Sequence, residues 1–126
     1  MPKKNPAEVK MENLKLVNVE EAMARVDNDK ELYNDLLTMF FEDPQFKPED
    51  LDKLVSDGKI QEAEKLVHLL KGIAGTLGAE LLFDASQRLD DILKGKTTGD
   101  IPAGKDEVNR LFAETTAELK KVQATL

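Results

Sequence analysis

Residues 59–77 run Lys59-Ile-Gln-Glu-Ala-Glu-Lys-Leu-Val-His-Leu-Leu-Lys-Gly-Ile-Ala-Gly-Thr-Leu77. Turned at about 100° per residue, Ile60, Ala63, Val67, Leu70, Ala74 and Leu77 fall on one stripe, in steps of three and four. Leu66 and Ile73 widen it. That spacing predicts a helix with one core face, closed by Gly78 just past its end. The same turn carries His68 to the opposite, outer face. Glu64 and Gln61 lie one and two turns before it, Lys65 stands beside them, and Lys71, Gly72 and Gly75 follow.

The flanking segments keep the same period. Asn18 is expected to cap a short helix over 19–27, with Glu21 as its capping-box partner. Asp29 caps a helix over about 30–43, with Leu32, Leu36, Met39 and Phe40 as its stripe, Tyr33 and Leu37 alongside, and Pro44 at its end. Pro48 opens a helix of about ten residues through Leu51, Leu54 and Val55, ended by Gly58. A helix over 79–94 ends at Gly95, with Leu82, Ala85, Leu89, Ile92 and Leu93 inward. Lys96 to Gly104 reads as the one long loop. The last helix, 105–124, turns Val108, Leu111, Phe112, Thr115, Leu119 and Val122 inward. No stretch alternates as a half-buried strand does. The expected fold is all-α, an antiparallel four-helix bundle with one or two short extra helices near the N-terminus. Residues 1–17 are expected as a leader strapped on through Leu14, Leu16 and Val17, and residues 18–126 as the bundle domain.

Composition narrows the function. The 126 residues suit one domain. With 40% hydrophobic and 34% charged residues the chain is globular in type. It has no cysteine and one histidine, which excludes disulfides, thiolate metal sites, a cysteine nucleophile and a three-histidine metal site. A dinuclear bundle site needs two Glu-x-x-His elements, whereas the nearest acid upstream of His68 is Glu64, four residues away. No metal or cofactor of its own is expected. The net charge of −7 disfavours nucleic acid and anionic membranes as partners. No apolar run reaches the roughly 20 residues of a membrane span, and the N-terminus lacks an apolar signal region. A cytoplasmic monomer is expected.

Two glycines on the outer face are the odd feature. Glycine inside a helix costs about 1 kcal/mol against alanine. Gly72 and Gly75 stand where alanine would fit, so a partner approaching the backbone beside His68 accounts for them. Lys71, one turn on, offers a positive charge to anything placed on the imidazole.

Residues 67–79, Val-His-Leu-Leu-Lys-Gly-Ile-Ala-Gly-Thr-Leu-Gly-Ala, resemble the signature of histidine-containing phosphotransfer (HPt) domains, roughly A-H-x-L-K-G-x-A-x-x-L-G-A. His68, Leu70, Lys71, Gly72, Ala74, Leu77, Gly78 and Ala79 match; Val67 and Ile73 depart from it on the core side. The stretch 28–43 resembles the family's preceding helix, and Leu89-Asp90 stands where the family often has Leu-Glu. The resemblance spans about residues 15–126.

The resemblance implies a histidine phosphocarrier of a two-component phosphorelay. His68 would take a phosphoryl group, usually on Nε2, from a receiver aspartate or a sensor or hybrid histidine kinase, and pass it to a response-regulator receiver. Asp90 would hold Nδ1, with Gln87 as the alternative, and Lys71 would neutralise phosphoryl oxygens. Partner contacts are expected at Glu64, Lys65, Gly72, Gly75, Phe83 and Lys94. The chain has no phosphate-binding loop, so it should not phosphorylate itself, and the Mg²⁺ of the reaction belongs to the receiver. A chain that opens at Met1 without kinase elements is expected to be a free-standing shuttle. The alternative is a docking bundle that binds receiver or kinase domains without carrying phosphate.

Overall fold

The computed structural model describes residues 14–126. Among the described residues there are six helices: α1 (Val19–Arg25), α2 (Lys30–Glu42), α3 (Pro48–Ser56), α4 (Ile60–Leu77), α5 (Glu80–Leu93) and α6 (Ile101–Thr125). No strand occurs among the described residues, and the all-α expectation holds. No helix among them is long and apolar enough to cross a membrane.

Short polar side chains start three of the helices. Asn18 Oδ1 accepts from the Glu21 N–H at 3.1 Å, Asp29 Oδ1 from Leu32 at 3.1 Å, and Asp100 Oδ1 from Ala103 at 3.0 Å. Each bond satisfies a first-turn N–H that the helix leaves free. The capping box expected at Asn18 is only half made. The Asn18 N–H donates to the Gly78 carbonyl at 2.7 Å, and Glu21 turns to Arg25 at 3.1 Å.

The start of α6 differs from the periodicity. The loop expected over 96–104 ends at Asp100, and the helix begins four residues early. Pro102 lies in the first turn, where its missing N–H costs nothing. Gly104 lies inside the helix because α5 passes close by: a Cβ there would stand 3.0 Å from Leu89 Cδ1. The glycine and proline that suggested a loop are a helix start and a close crossing.

The core has two parts. The larger gathers Leu51 of α3, Ala63, Val67, Leu70 and Ala74 of α4, Leu82, Ala85 and Leu89 of α5, and Val108 and Leu111 of α6. The smaller gathers Ala22, Tyr33, Leu37, Leu77 and Leu119. Helices α4, α5 and α6 pack in sequence, up, down and up. Helices α2 and α3 both pack against α4 and α6. α2 covers the C-terminal ends of that pair and α3 its N-terminal halves, so the two fill the fourth side in tandem. Phe46, in the connection between them, is buried, its ring centroid 4.9 Å from that of Phe112.

Residues 1–13 of the expected leader lie outside the described residues. From Leu14 the chain runs along the α4–α5 turn. The Lys15 N–H donates to Glu80 Oε1 at 3.0 Å, and the Lys15 carbonyl accepts from Leu81 at 3.1 Å. Leu16 packs on the larger core and Val17 on the smaller.

Candidate functional site

The core stripe of α4 fixes what its other face shows. Ala63, Val67, Leu70, Ala74 and Leu77 are all buried. The helix therefore turns His68 outward, with 60% of its side chain exposed. Behind it stands α5, the neighbour of α4. Leu82, Ala85, Leu89 and Leu93 anchor α5 in the core, and that register brings Asp90 to the seam between the helices.

Asp90 is the centre of the site and is fully buried. Three nitrogens converge on its Oδ2: Lys94 Nζ at 3.1 Å, His68 Nδ1 at 3.7 Å and Lys71 Nζ at 3.8 Å. The His68 approach is longer than a hydrogen bond, as the shorter Asp side chain would lead one to expect. Nδ1 faces the carboxylate, so Nε2 is the nitrogen left to the outside.

Burial works to raise the Asp90 pKa. The Lys94 hydrogen bond, the neighbouring Glu64 carboxyl and the charges of Lys94 and Lys71 outweigh it and hold the carboxyl below the ordinary Asp value. Lys94 is shifted up, chiefly by its bond to Asp90. A folded value below the unfolded one adds stability that is present above the unfolded pKa of about 4 and is lost as pH falls through the folded pKa. In Asp90→Asn this contribution is gone. Thermal melts across about pH 2–5 should show a weaker acid destabilisation than in the wild type. Equal acid slopes would remove Asp90 from that account.

The other expected site residues divide. Lys71 is only 20% exposed and donates to Gln87 Oε1 at 3.1 Å. Gln87 in turn donates to Asp91 Oδ1 at 3.0 Å. Gln87 therefore holds Lys71 and not His68, because its place on α5 is nearly one turn from Asp90. Lys94, expected as a partner contact, clamps two carboxylates, Glu64 at 3.3 Å and Asp90 at 3.1 Å. Lys65 is exposed on α4. Gly72 is open, with nothing within 4 Å of a Cβ built there. Gly75 lies under the Phe83 ring, whose nearest carbons are 3.5 Å from such a Cβ. Phe83 itself is 40% exposed and flanks the site on α5.

The periodicity did not find the groove beside His68. Leu36, Met39 and Phe40 of α2 face Leu69, Gly72 and Ile73 of α4 across a space of about 590 Å³, with His68 on its rim. The stripe expected to bury Leu32, Leu36, Met39 and Phe40 is instead partly open, with Leu32 44% and Met39 64% exposed. Tyr33 and Leu37 are the residues that point inward. The signal in the sequence is a helix apolar on two neighbouring faces, one more than a core needs.

Searches among curated proteins and among solved structures find no match. The family profile described as "Hpt domain" matches residues 35–125, from the middle of α2 to the end of α6, and so takes in His68, Asp90 and the groove. A profile that covers most of the chain, on a helical bundle with its single histidine outward, places the protein in the Hpt domain family.

Proposed function

We propose that the protein is a histidine phosphocarrier in a two-component phosphorelay. In this reading His68 accepts a phosphoryl group from a receiver aspartate or a histidine kinase and yields it to a response-regulator receiver. The single observation that carries it is the pairing of an exposed imidazole with a buried carboxylate. Asp90 faces Nδ1 and favours the tautomer with the proton there, which leaves a lone pair on Nε2. That lone pair attacks the phosphorus of a receiver's aspartyl phosphate. The P–N bond forms, the P–O bond to the aspartate breaks, and the receiver's carboxylate leaves. The ring gains positive charge as this happens, and the fixed Asp90 carboxylate stabilises it. The reverse attack by a receiver aspartate returns the ring to neutral.

Lys71 and Lys94 share Asp90 rather than standing free. Their role is to hold the carboxylate ionised and in place, and Lys71, one turn after His68 on α4, also offers its charge to the phosphoryl oxygens. The receiver brings the remainder: its aspartate, its Mg²⁺ and in-line positioning. A receiver's apolar active-site rim seats on the groove lined by Leu36, Met39, Phe40 and Leu69.

Transfer from a phosphorylated receiver tests this, with phosphorus NMR to locate the product on Nε2 of the only histidine. Met39→Asp should leave stability within about 0.5 kcal/mol and weaken receiver binding about tenfold or more, read by calorimetry. Gly72→Ala should raise stability by about 0.5–1 kcal/mol, since the helix gains and nothing clashes, while transfer slows. Faster or unchanged transfer in that variant would dismiss the close-approach role of Gly72.

A further inference from the structure

We propose that Glu64, His68 and Asp90 form a binding site for a divalent transition-metal ion of the zinc class, whose occupation switches the His68 acceptor off. The second clause rests on the phosphocarrier reading; the first does not. Each of the three side chains offers one ligand atom, all within 4.8 Å of one another. Glu64 and His68 stand four residues apart on α4, on adjacent turns of one face, and Asp90 comes from α5. His68 Nδ1 and Asp90 Oδ2 are 3.7 Å apart. Two ligands of a tetrahedral zinc, with bonds near 2 Å, lie about 3.3 Å apart, so a small closure completes the pair. One imidazole with two carboxylates would leave a fourth position for water on a tetrahedral ion. The nitrogen selects against Mg²⁺ and Ca²⁺, which take oxygen sets. The Glu-x-x-x-His spacing misses the dinuclear bundle pattern but suits a single ion.

Asp90 supplies an independent reason. It is fully buried, and its Oδ1 has no hydrogen-bond partner. Oδ2 is the oxygen turned to His68, and the undonated Oδ1 shows that protein donors leave this carboxylate incompletely satisfied. The gap between the carboxylates already holds a positive charge, the Lys94 ammonium, at 3.3 Å from Glu64 and 3.1 Å from Asp90. Lys94 is 32% exposed on a flexible stem and can withdraw to water. Lys71 keeps Gln87 as a partner when it gives up Asp90. Lys94 is thus the competitor that sets the affinity.

The switch follows from imidazole chemistry. A neutral ring has one proton and one free lone pair. With Asp90 facing an Nδ1–H, the lone pair is on Nε2 and can attack phosphorus. With the metal on Nδ1, the proton resides on Nε2, and no lone pair is left there to attack.

The test titrates the full chain with Zn²⁺ by calorimetry, with Co²⁺ as the visible-absorption probe of tetrahedral geometry, and follows the one imidazole by nitrogen–proton NMR. The proposal expects one ion per chain, Nδ1 metallated and Nε2 protonated. Glu64→Gln should weaken binding by about 10–100-fold or more, as a lost ligand costs at least what a lost outer-shell partner does. Lys94→Met should tighten it. Wild-type transfer from a receiver, with Mg²⁺ kept in excess, should stop at one equivalent of Zn²⁺ and return with a zinc-selective chelator; the receiver alone with Zn²⁺ is the control. Absent binding, metal on Nε2, or affinity indifferent to Glu64→Gln overturns the site. Full-rate transfer with the site filled overturns the switch. Zinc binding as expected in a protein that never accepts phosphate leaves the site standing and overturns the carrier reading, and the switch with it.

Discussion

Replacing His68 by Gln should abolish phosphoryl acceptance and leave the fold intact. Gln is close in reach but has no basic ring nitrogen, so no P–N bond can form. The chain has no second histidine to take over and no cysteine. The loss should be complete, down to the receiver's own hydrolysis. Stability should move by less than about 0.5 kcal/mol, because the side chain is 60% exposed and contributes no core packing. The measurement pairs intact mass after incubation with a phosphorylated receiver and a urea melt of each protein. A variant that still gains an acid-labile phosphoryl would move the acceptor away from His68. A variant that unfolds would make His68 a structural residue.

Gly78→Ala should produce the largest stability loss of any small substitution near the site. Gly78 ends α4 with φ +76°, a conformation that costs a non-glycine residue about 1–3 kcal/mol. A Cβ there would also stand 2.6 Å from the Asn18 carbonyl oxygen and 2.9 Å from Ala22 Cβ. The backbone contact cannot relax cheaply, since the Asn18 N–H is tied to the Gly78 carbonyl at 2.7 Å. Overpacking adds about 1–3 kcal/mol. The sum is about 2–6 kcal/mol, or about 8–23 °C in Tm for a domain of this size. Gly95→Ala is the control. Its φ is also +76°, but nothing lies within 4 Å of a Cβ there, so only the backbone part should appear. Equal losses at the two positions would refute the strap-and-turn packing.

The long helices were legible because each repeats a core residue every three or four positions. The α4 stripe from Ala63 to Leu77 lies in the core as its spacing predicts, and the outward turn of His68 follows from it. Asp90 was legible only as a position on a flank of α5. Its burial depends on how α5 is rotated against α4, which no single helix encodes. The same rotation decides that Gln87 meets Lys71 rather than His68. Phe46 sits outside any periodic segment, so its place in the core had no local signal. The groove was hidden because α2 is apolar on two faces, and periodicity alone does not say which one the bundle buries.

Under the proposed function this bundle carries phosphate on its single histidine. The most direct test mixes the purified protein with a panel of phosphorylated receiver domains and Mg²⁺, and reads intact mass and acid lability. At least one receiver should deliver a single acid-labile phosphoryl group to the wild type, which a second, unphosphorylated receiver should then remove. Binding to receivers without any transfer would contradict it and make the protein a docking bundle.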